Sequence, residues 1–201
     1  MLKKASFLII FAAIWLTSCT KDPVNDLTDL DSQVFITNFD KSVNFKQFKT
    51  FSIADSVIVV QDDRSGTALT DLDRQMLSSV IAKMQSQGYT CVAASNKPDV
   101  GITIARITNT YLNVASTPYS SYYGGFYGGY GYGYPSYYSY YETSESYWSV
   151  SMLDLKNANA TTKTLNVIWN AQIRGSGLAN TDYFSEMINS VFDQSAYLKI
   201  N

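Results

Sequence analysis

The chain has 201 residues, with 15 Lys and Arg, 17 Asp and Glu and no histidine, and its formal net charge is −2 at pH 7. The lack of histidine excludes Ser-His-Asp and Cys-His catalysis and histidine-containing zinc sites. The mildly acidic balance, without any run of lysine and arginine, also argues against nucleic-acid binding, which needs clustered positive charge.

The N-terminal segment indicates export and a lipid anchor. Two lysines precede an apolar run over residues 7–16, whose length suits a signal peptide but is too short to cross a bilayer as a helix. The run ends in Leu-Thr-Ser-Cys, which resembles the lipobox of bacterial lipoprotein signal peptides and implies cleavage between Ser18 and Cys19. We therefore expect a signal peptide over residues 1–18 and acylation of Cys19, with anchoring in the outer membrane on its periplasmic or surface face. The alternative is an ordinary secretory signal with a chance cysteine.

The mature chain is predicted to be a tether followed by one domain. Residues 19–32 are polar and acidic and contain a proline, a composition typical of a flexible linker. Residues 33–201 are enough for a single domain with its own core. If Cys19 is acylated, Cys91 has no disulfide partner, and we interpret Cys91 as a small buried hydrophobe rather than a reactive thiol.

The early part of the domain contains short strands. Residues 34–39 and 56–60 have strand composition, and residues 45–53 indicate a short turn that leads into a strand. Residues 61–66 are turn formers. The sequence leaves open how these early strands pair.

Two amphipathic helices are predicted. The first begins after Thr70, with Asp73 placed as in a capping box, and ends at Gly88. Its apolar stripe is Leu69, Leu72, Met76, Leu77, Val80, Ile81 and Met84. The stripe of the second helix, near the C terminus, is Phe184, Met187, Ile188, Val191 and Phe192. Such stripes predict that each helix packs flat on a sheet.

Three strands are predicted between the helices: residues 100–107, running on toward Val114, residues 147–155, and residues 164–174 after a turn at 156–161. On the second of these, Trp148, Val150 and Met152 share a face. On the third, alternation predicts one apolar face made of Leu165, Val167, Trp169, Ala171 and Ile173. We expect an α+β fold: a single domain with a mostly antiparallel sheet, in the order β-α-β-β-β-α, and both helices packed on one face.

Four short motifs occur in order along the domain. They are an aspartate-led turn before Phe-Lys-Thr-Phe in residues 38–51, Gln-Gly-Tyr at 87–89, Pro-Asp-Val at 98–100, and Val-Ile-Trp at 167–169. Together they resemble an uncharacterised bacterial lipoprotein family, domain-of-unknown-function family 4136, from Val34 to the C terminus. The resemblance implies an envelope lipoprotein of α+β fold and supplies no activity, catalytic residue or cofactor.

Residues 119–141 are a low-complexity Tyr/Gly-rich loop that holds eleven of the sixteen tyrosines and six of the eleven glycines. Tyrosine offers a flat apolar ring for stacking and a hydroxyl for hydrogen bonding, so this loop is a candidate binding surface. Its candidate residues are Tyr122, Tyr123, Phe126, Tyr127, Tyr130, Tyr132, Tyr134, Tyr137 and Tyr138. The alternative is a passive disordered connection.

The sequence therefore favours a non-catalytic envelope lipoprotein, a binding or scaffold protein whose partner is an unknown envelope protein or glycan. One alternative is a glycan- or peptidoglycan-binding module that uses the Tyr/Gly-rich loop. A carboxylate-dependent hydrolase is a further alternative, although Asp99, Asp154, Glu142 and Glu145 show no spacing that would bring a pair together.

We expect neither a metal nor a cofactor. The acidic pairs Asp62 with Asp63 and Asp71 with Asp73 do not match a calcium-binding EF-hand loop. The helix cap explains Asp73 better than a metal does.

Overall fold

The computed structural model describes residues 27–61, 64–108, 146–159 and 164–200. The strands are β1 (Val34–Phe39), β2 (Thr50–Ile53), β3 (Val57–Gln61), β4 (Arg64–Ala68), β5 (Thr90–Cys91), β6 (Val100–Thr108), β7 (Tyr147–Asn159) and β8 (Thr164–Arg174). The helices are α1 (Asp71–Ser86) and α2 (Phe184–Asp193), and short 3₁₀ turns include Leu30–Ser32, Phe45–Gln47 and Ala196–Leu198.

The eight strands form one sheet, in the order β1-β8-β7-β6-β2-β5. On the same side of β6, β2 lies beside the first half of the strand and β3 lies beside its second half. Strand β4 pairs with β3. The pairs β1–β8, β8–β7, β7–β6 and β3–β4 are antiparallel, whereas β2 and β3 run parallel to β6, and β5 runs parallel to β2. The sheet is thus mixed, and long antiparallel pairings make up its centre and one end.

Both helices pack on one face of the sheet and form the main core there. Met76, Val80 and Met84 of α1 and Phe184 and Met187 of α2 are fully buried in this core. The sheet contributes Val100, Ile102, Ile104, Trp148, Val150, Met152, Trp169, Ala171 and Ile173. The α+β class and the placement of both helices on one face are therefore as the sequence predicts.

The start of α1 confirms the predicted capping box. The Thr70 side chain accepts from the backbone N–H of Asp73, and the Asp73 carboxylate accepts from the backbone N–H of Thr70 at 2.9 Å. These bonds satisfy N–H groups that have no partner within the helix. After the helix, Gly88 has φ of 104°, a left-handed conformation that glycine adopts without steric cost.

The order of elements differs from the prediction. Four strands precede α1, whereas the predicted order has one there although three early strand segments were recognised, and the two-residue β5 follows α1. The prediction missed β4 because Arg-Ser-Gly-Thr-Ala has turn composition, and its side chains are mostly exposed at an edge of the sheet. Strand β7 also continues to Asn159, through part of the predicted turn at 156–161.

The predicted apolar face of β8 is wrong at its first half. Met152 lies opposite Trp169 and Leu153 lies opposite Val167, so Ile168 is an extra residue in β8. An extra residue reverses the side on which the preceding residues point. Leu165 and Val167 therefore pack with Leu153 and Leu155, away from the helices.

None of the helices in the described ranges has the length and apolar character needed to span a membrane. The predicted signal peptide, Cys19 and the start of the tether lie outside the described residues, as do the Tyr/Gly-rich loop and the extension of β6 toward Val114. Within the predicted tether, Leu30–Ser32 form a 3₁₀ turn, and the Ser32 hydroxyl accepts from the N–H of Ser176.

Candidate interaction surface

Among the described strands, β1 forms one edge of the sheet, and it carries exposed apolar side chains. Val34 is 53% exposed and Ile36 is 38% exposed, and both point away from the helices. Five large apolar side chains are exposed in the described part of the chain: Leu27, Val34, Ile36, Phe39 and Leu69. Four of them fall within residues 27–39, so exposed apolar area is concentrated on β1 and the segment just before it.

The composition of β1 leaves its edge open to pairing. Natural sheet edges are usually blunted by short strands, charged residues, proline or bulges. Strand β5 has only two residues, and β4 includes Arg64 and Gly66. The six residues of β1 include no charge, proline or glycine.

The backbone of β1 alternates between its partner β8 and the open side. The N–H of Asp40 donates to the carbonyl of Ile168, so Ile36 and Asn38, which alternate with Asp40, also direct their backbone groups toward β8. The backbone N–H and C=O groups of Phe35, Thr37 and Phe39 therefore point outward. These residues offer a row of donors and acceptors for another strand.

Both ends of β1 are fixed in place. At the C-terminal end, Phe39 stacks on Tyr197, which also contacts Phe45. Asp40 accepts hydrogen bonds from the hydroxyl and N–H of Ser42, which lower the pKa of its carboxyl.

At the N-terminal end of β1, the Gln33 side chain donates to the Ser176 carbonyl at 3.0 Å. The edge is therefore held in a defined shape.

The sheet face that Val34 and Ile36 share continues inward as a patch of polar side chains, most of them buried, which we name the polar face. It consists of Thr103, Ser149, Ser151, Asn170, Gln172 and Arg174, which point away from the helices. In the register, Val34 lies opposite Arg174 and Ile36 opposite Gln172. The exposed apolar residues of β1 therefore form the outer border of the polar face.

Asn170 joins the strands of the polar face. Its side-chain nitrogen donates to the hydroxyls of Ser149 and Ser151, each at 2.9 Å, and to the carbonyl of Val150 at 3.2 Å. The residue is 5% exposed, and these bonds offset the free-energy cost of burying its amide.

Arg174 and Tyr147 form the end of the polar face that adjoins Val34. The Arg174 guanidinium lies 4.5 Å from the centre of the Tyr147 ring and donates to Gln172 Oε1 at 3.0 Å. Burial raises the pKa of the Tyr147 phenol, and the positive charge of Arg174 partly offsets that rise. Tyr147 therefore presents an uncharged ring to the guanidinium of Arg174.

The carboxylates that the sequence singled out have structural partners. Asp99 accepts from the backbone N–H groups of Lys49 and Thr50, at 2.7 and 3.0 Å, and its other oxygen lies 3.4 Å from the Lys156 ammonium. Asp154 accepts from the N–H and side-chain amide of Asn157, at 2.9 and 2.8 Å. Asp99 therefore fixes the start of β2, and Asp154 holds the irregular end of β7, which lies beside Asp99 because Val100 pairs with Asp154.

Asp73, another acidic residue considered for metal binding, is fully buried, and its second oxygen lies 3.4 Å from Nε of Arg106. The described ranges contain no group of three or more side chains suited to hold a metal ion. Asp62, Asp63, Glu142 and Glu145 lie outside those ranges.

The other candidate residues are placed as follows. Ser18, Cys19 and the nine aromatic residues of the Tyr/Gly-rich loop lie outside the described residues. Cys91 is half-buried, and burial raises the pKa of its thiol. The sequence predicted β1 as a strand but missed its exposure. One signal was available, because apolar residues occur on both faces of residues 34–39.

Comparison with known proteins places the domain in a family. A family model described as a domain of unknown function, DUF4136, matches residues 36–195. None of the curated proteins compared with the chain matches it. A DUF4136 family protein from Bacteroides thetaiotaomicron is 27% identical, with a TM-score of 0.68 over 85% of this chain and 100% of that chain. A PelC dodecamer subunit from Paraburkholderia phytofirmans is 10% identical, with a TM-score of 0.45 over 84% and 99% of the two chains. The family match spans most of this chain, which therefore belongs to the DUF4136 family.

Proposed function

We propose that this chain is a non-catalytic, lipid-anchored protein of the bacterial outer membrane that acts by binding, with edge strand β1 as its contact element. The observation that carries the proposal is the exposed pair Val34 and Ile36 on an edge without charge, proline or glycine. An extended segment of a partner can add to such an edge through backbone hydrogen bonds, while its side chains cover the apolar residues.

The use of the carboxylates supports a non-catalytic role. A glycosidase needs two carboxyl groups that face one another across a substrate. Asp99 instead accepts hydrogen bonds from the start of β2, Asp154 accepts one from Asn157 in its own strand, and Asp73 closes the cap of α1. Each of these groups has a role in holding the fold.

A lipid anchor on Cys19 would hold β1 close to the membrane. Fourteen residues, 20–33, separate Cys19 from Val34. Because Leu30–Ser32 form a 3₁₀ turn, the fourteen residues span less than a fully extended segment of that length, which reaches about 45–50 Å. A lipid on Cys19 would keep β1 within that distance of the membrane, where other envelope proteins are concentrated.

The proposal is tested by placing a charge on the edge. In the full chain, Ile36→Lys should abolish capture of envelope partners after cross-linking in cells, with little change in thermal unfolding. Leu69→Lys is the matched control, because Leu69 is 41% exposed and lies outside β1. Equal capture by wild type and Ile36→Lys would overturn β1 as the contact element.

The anchor is tested separately. We expect Cys19→Ala protein to leave the washed membrane fraction while keeping the unfolding curve of the wild-type domain. Stable attachment requires acyl chains, each buried CH₂ contributing about 0.8 kcal/mol. Retention of Cys19→Ala protein in washed membranes would contradict the lipid anchor.

A glycan-binding role is the second candidate, and the concentration of tyrosine in residues 119–141 favours it. Tyrosine rings stack on sugar rings, and their hydroxyls hydrogen-bond. Replacing residues 119–141 with a short Gly-Ser turn should then abolish sedimentation with cell-wall material and leave thermal unfolding unchanged. Undiminished sedimentation would exclude this second role.

A further inference from the structure

We propose that the partner of the β1 edge is a second copy of this chain, paired antiparallel about a two-fold axis at Ile36, so that two sheets join into one. This inference rests on the proposed function, because it names the occupant of the same edge.

The backbone geometry permits this pairing. Since Phe35 and Thr37 direct their N–H and C=O groups outward, an antiparallel copy can exchange hydrogen bonds between Phe35 of one chain and Thr37 of the other. The two-fold axis repeats the exchange, giving four backbone hydrogen bonds. Ile36 then faces Ile36 of the second copy in a non-hydrogen-bonded pair, where side chains approach most closely.

The exposed side chains fit this register. Ile36 of each copy covers Ile36 of the other. Val34 of one copy lies opposite Asn38 of the other copy, whose Ile36 is the diagonal neighbour of Val34. A register centred on Thr37 would instead place Val34 opposite the charged Asp40. The Ile36-centred register joins apolar to apolar surface and keeps Asp40 outside the pairing.

The length of chain before β1 allows both copies to share one membrane. In the Ile36-centred register, the two Val34 residues lie about 13 Å apart along the strands, at about 3.3 Å per residue. Residues 20–26 of each chain, which precede the described residues, could by themselves reach about 25 Å when extended, which exceeds that distance. The lipid anchors of both copies can therefore insert side by side in one leaflet of the membrane.

Membrane attachment also explains why so small an interface would suffice. Stable complexes in solution bury about 1,200–2,000 Å². A single six-residue strand pair is small by that standard, but anchoring confines the copies to a surface and raises their effective concentration. Pairing is thus expected for the anchored protein and weak for the detached domain.

Disulfide trapping tests the register. The full, membrane-attached chain is used with Cys91→Ser as background, and single cysteines are introduced at Ile36, Thr37, Asn38 or Leu69. A non-hydrogen-bonded pair has Cα atoms about 4.5 Å apart, within the range of a disulfide. We expect mild oxidation to convert most Ile36→Cys protein to dimer, with at least tenfold less dimer from Asn38→Cys and Leu69→Cys.

The outcomes separate this inference from the proposed function. Dimer from Thr37→Cys rather than Ile36→Cys would overturn the Ile36-centred pairing. Monomer from every variant, together with failure of two differently tagged wild-type copies to co-purify from membranes, would overturn self-association. If Ile36→Lys still abolished capture of a different envelope protein in that case, the proposed function would stand with another partner.

Discussion

The ring of Phe39 stacks on the ring of Tyr197, with centroids 4.0 Å apart. This contact joins the end of the edge strand to the 3₁₀ turn Ala196–Leu198 near the C terminus. The position of β1 therefore depends on packing with the last residues of the domain as well as on pairing with β8.

We predict that Phe39→Ala destabilises the domain by about 1–2 kcal/mol. Truncating a fully buried Phe costs about 3–5 kcal/mol, but Phe39 is 39% exposed, so less is lost. Denaturant unfolding measures the change. Phe39→Tyr is the control, because it keeps the stacked ring, and a similar loss in both variants would contradict stacking as the cause.

Trp169 is predicted to be a structural residue. It is 1% exposed, lies in the core beneath the helices, and its indole N–H donates to Ser195 Oγ at 2.9 Å. Trp169→Ala should cost about 3–5 kcal/mol of unfolding free energy. Trp169→Phe, which keeps an aromatic ring but loses the donor, should cost less.

Thermal or denaturant unfolding of both Trp169 variants provides the measurement. Melting of Trp169→Ala within a few degrees of wild type would show that the residue does not support the core.

Asp99 should make stability depend on pH. Burial by itself raises the pKa of its carboxyl, but hydrogen bonds from the backbone N–H groups of Lys49 and Thr50, together with the Lys156 charge, outweigh burial and lower it. Because the pKa is lower in the folded than in the unfolded chain, the stabilisation is present above about pH 4 and is lost as pH falls through the folded pKa.

Asp99→Asn should therefore be less stable than wild type at pH 7, and the difference should shrink below pH 4. Unfolding curves between pH 3 and 7 measure this, with Asp55→Asn as a control for loss of an exposed negative charge. A difference that stays constant over that range would exclude the ionised carboxylate as its source.

Local signals predicted the helices and much of the core. Thr70 with Asp73 predicted the start of α1, and the three- and four-residue spacing identified the buried stripes, except that Leu69 precedes α1 and is 41% exposed. Alternation on β7 correctly grouped Trp148, Val150 and Met152 on one face, which the structure places against the helices. These features depend on residues close together in the chain.

Features that depend on distant residues could not be predicted in the same way. The extra residue Ile168 is recognisable only from pairing with β7, and it moves Leu165 and Val167 to the other face. The parallel pairing of β2 and β3 with β6 likewise has no local signal. The exposure of Ile36 follows from the place of β1 at the end of the sheet, which depends on pairing with β8, and the apolar residues on both faces of residues 34–39 are the one local signal of it.

The central claim, that β1 is where this protein binds, is tested most directly by photo-cross-linking in living cells from position 36 of the full chain. A photoreactive amino acid at Ile36 should give a defined adduct with an envelope protein or a second copy of the chain, whereas the same amino acid at Leu69 should not. Absence of an adduct from position 36, or the same adducts from both positions, would contradict the claim.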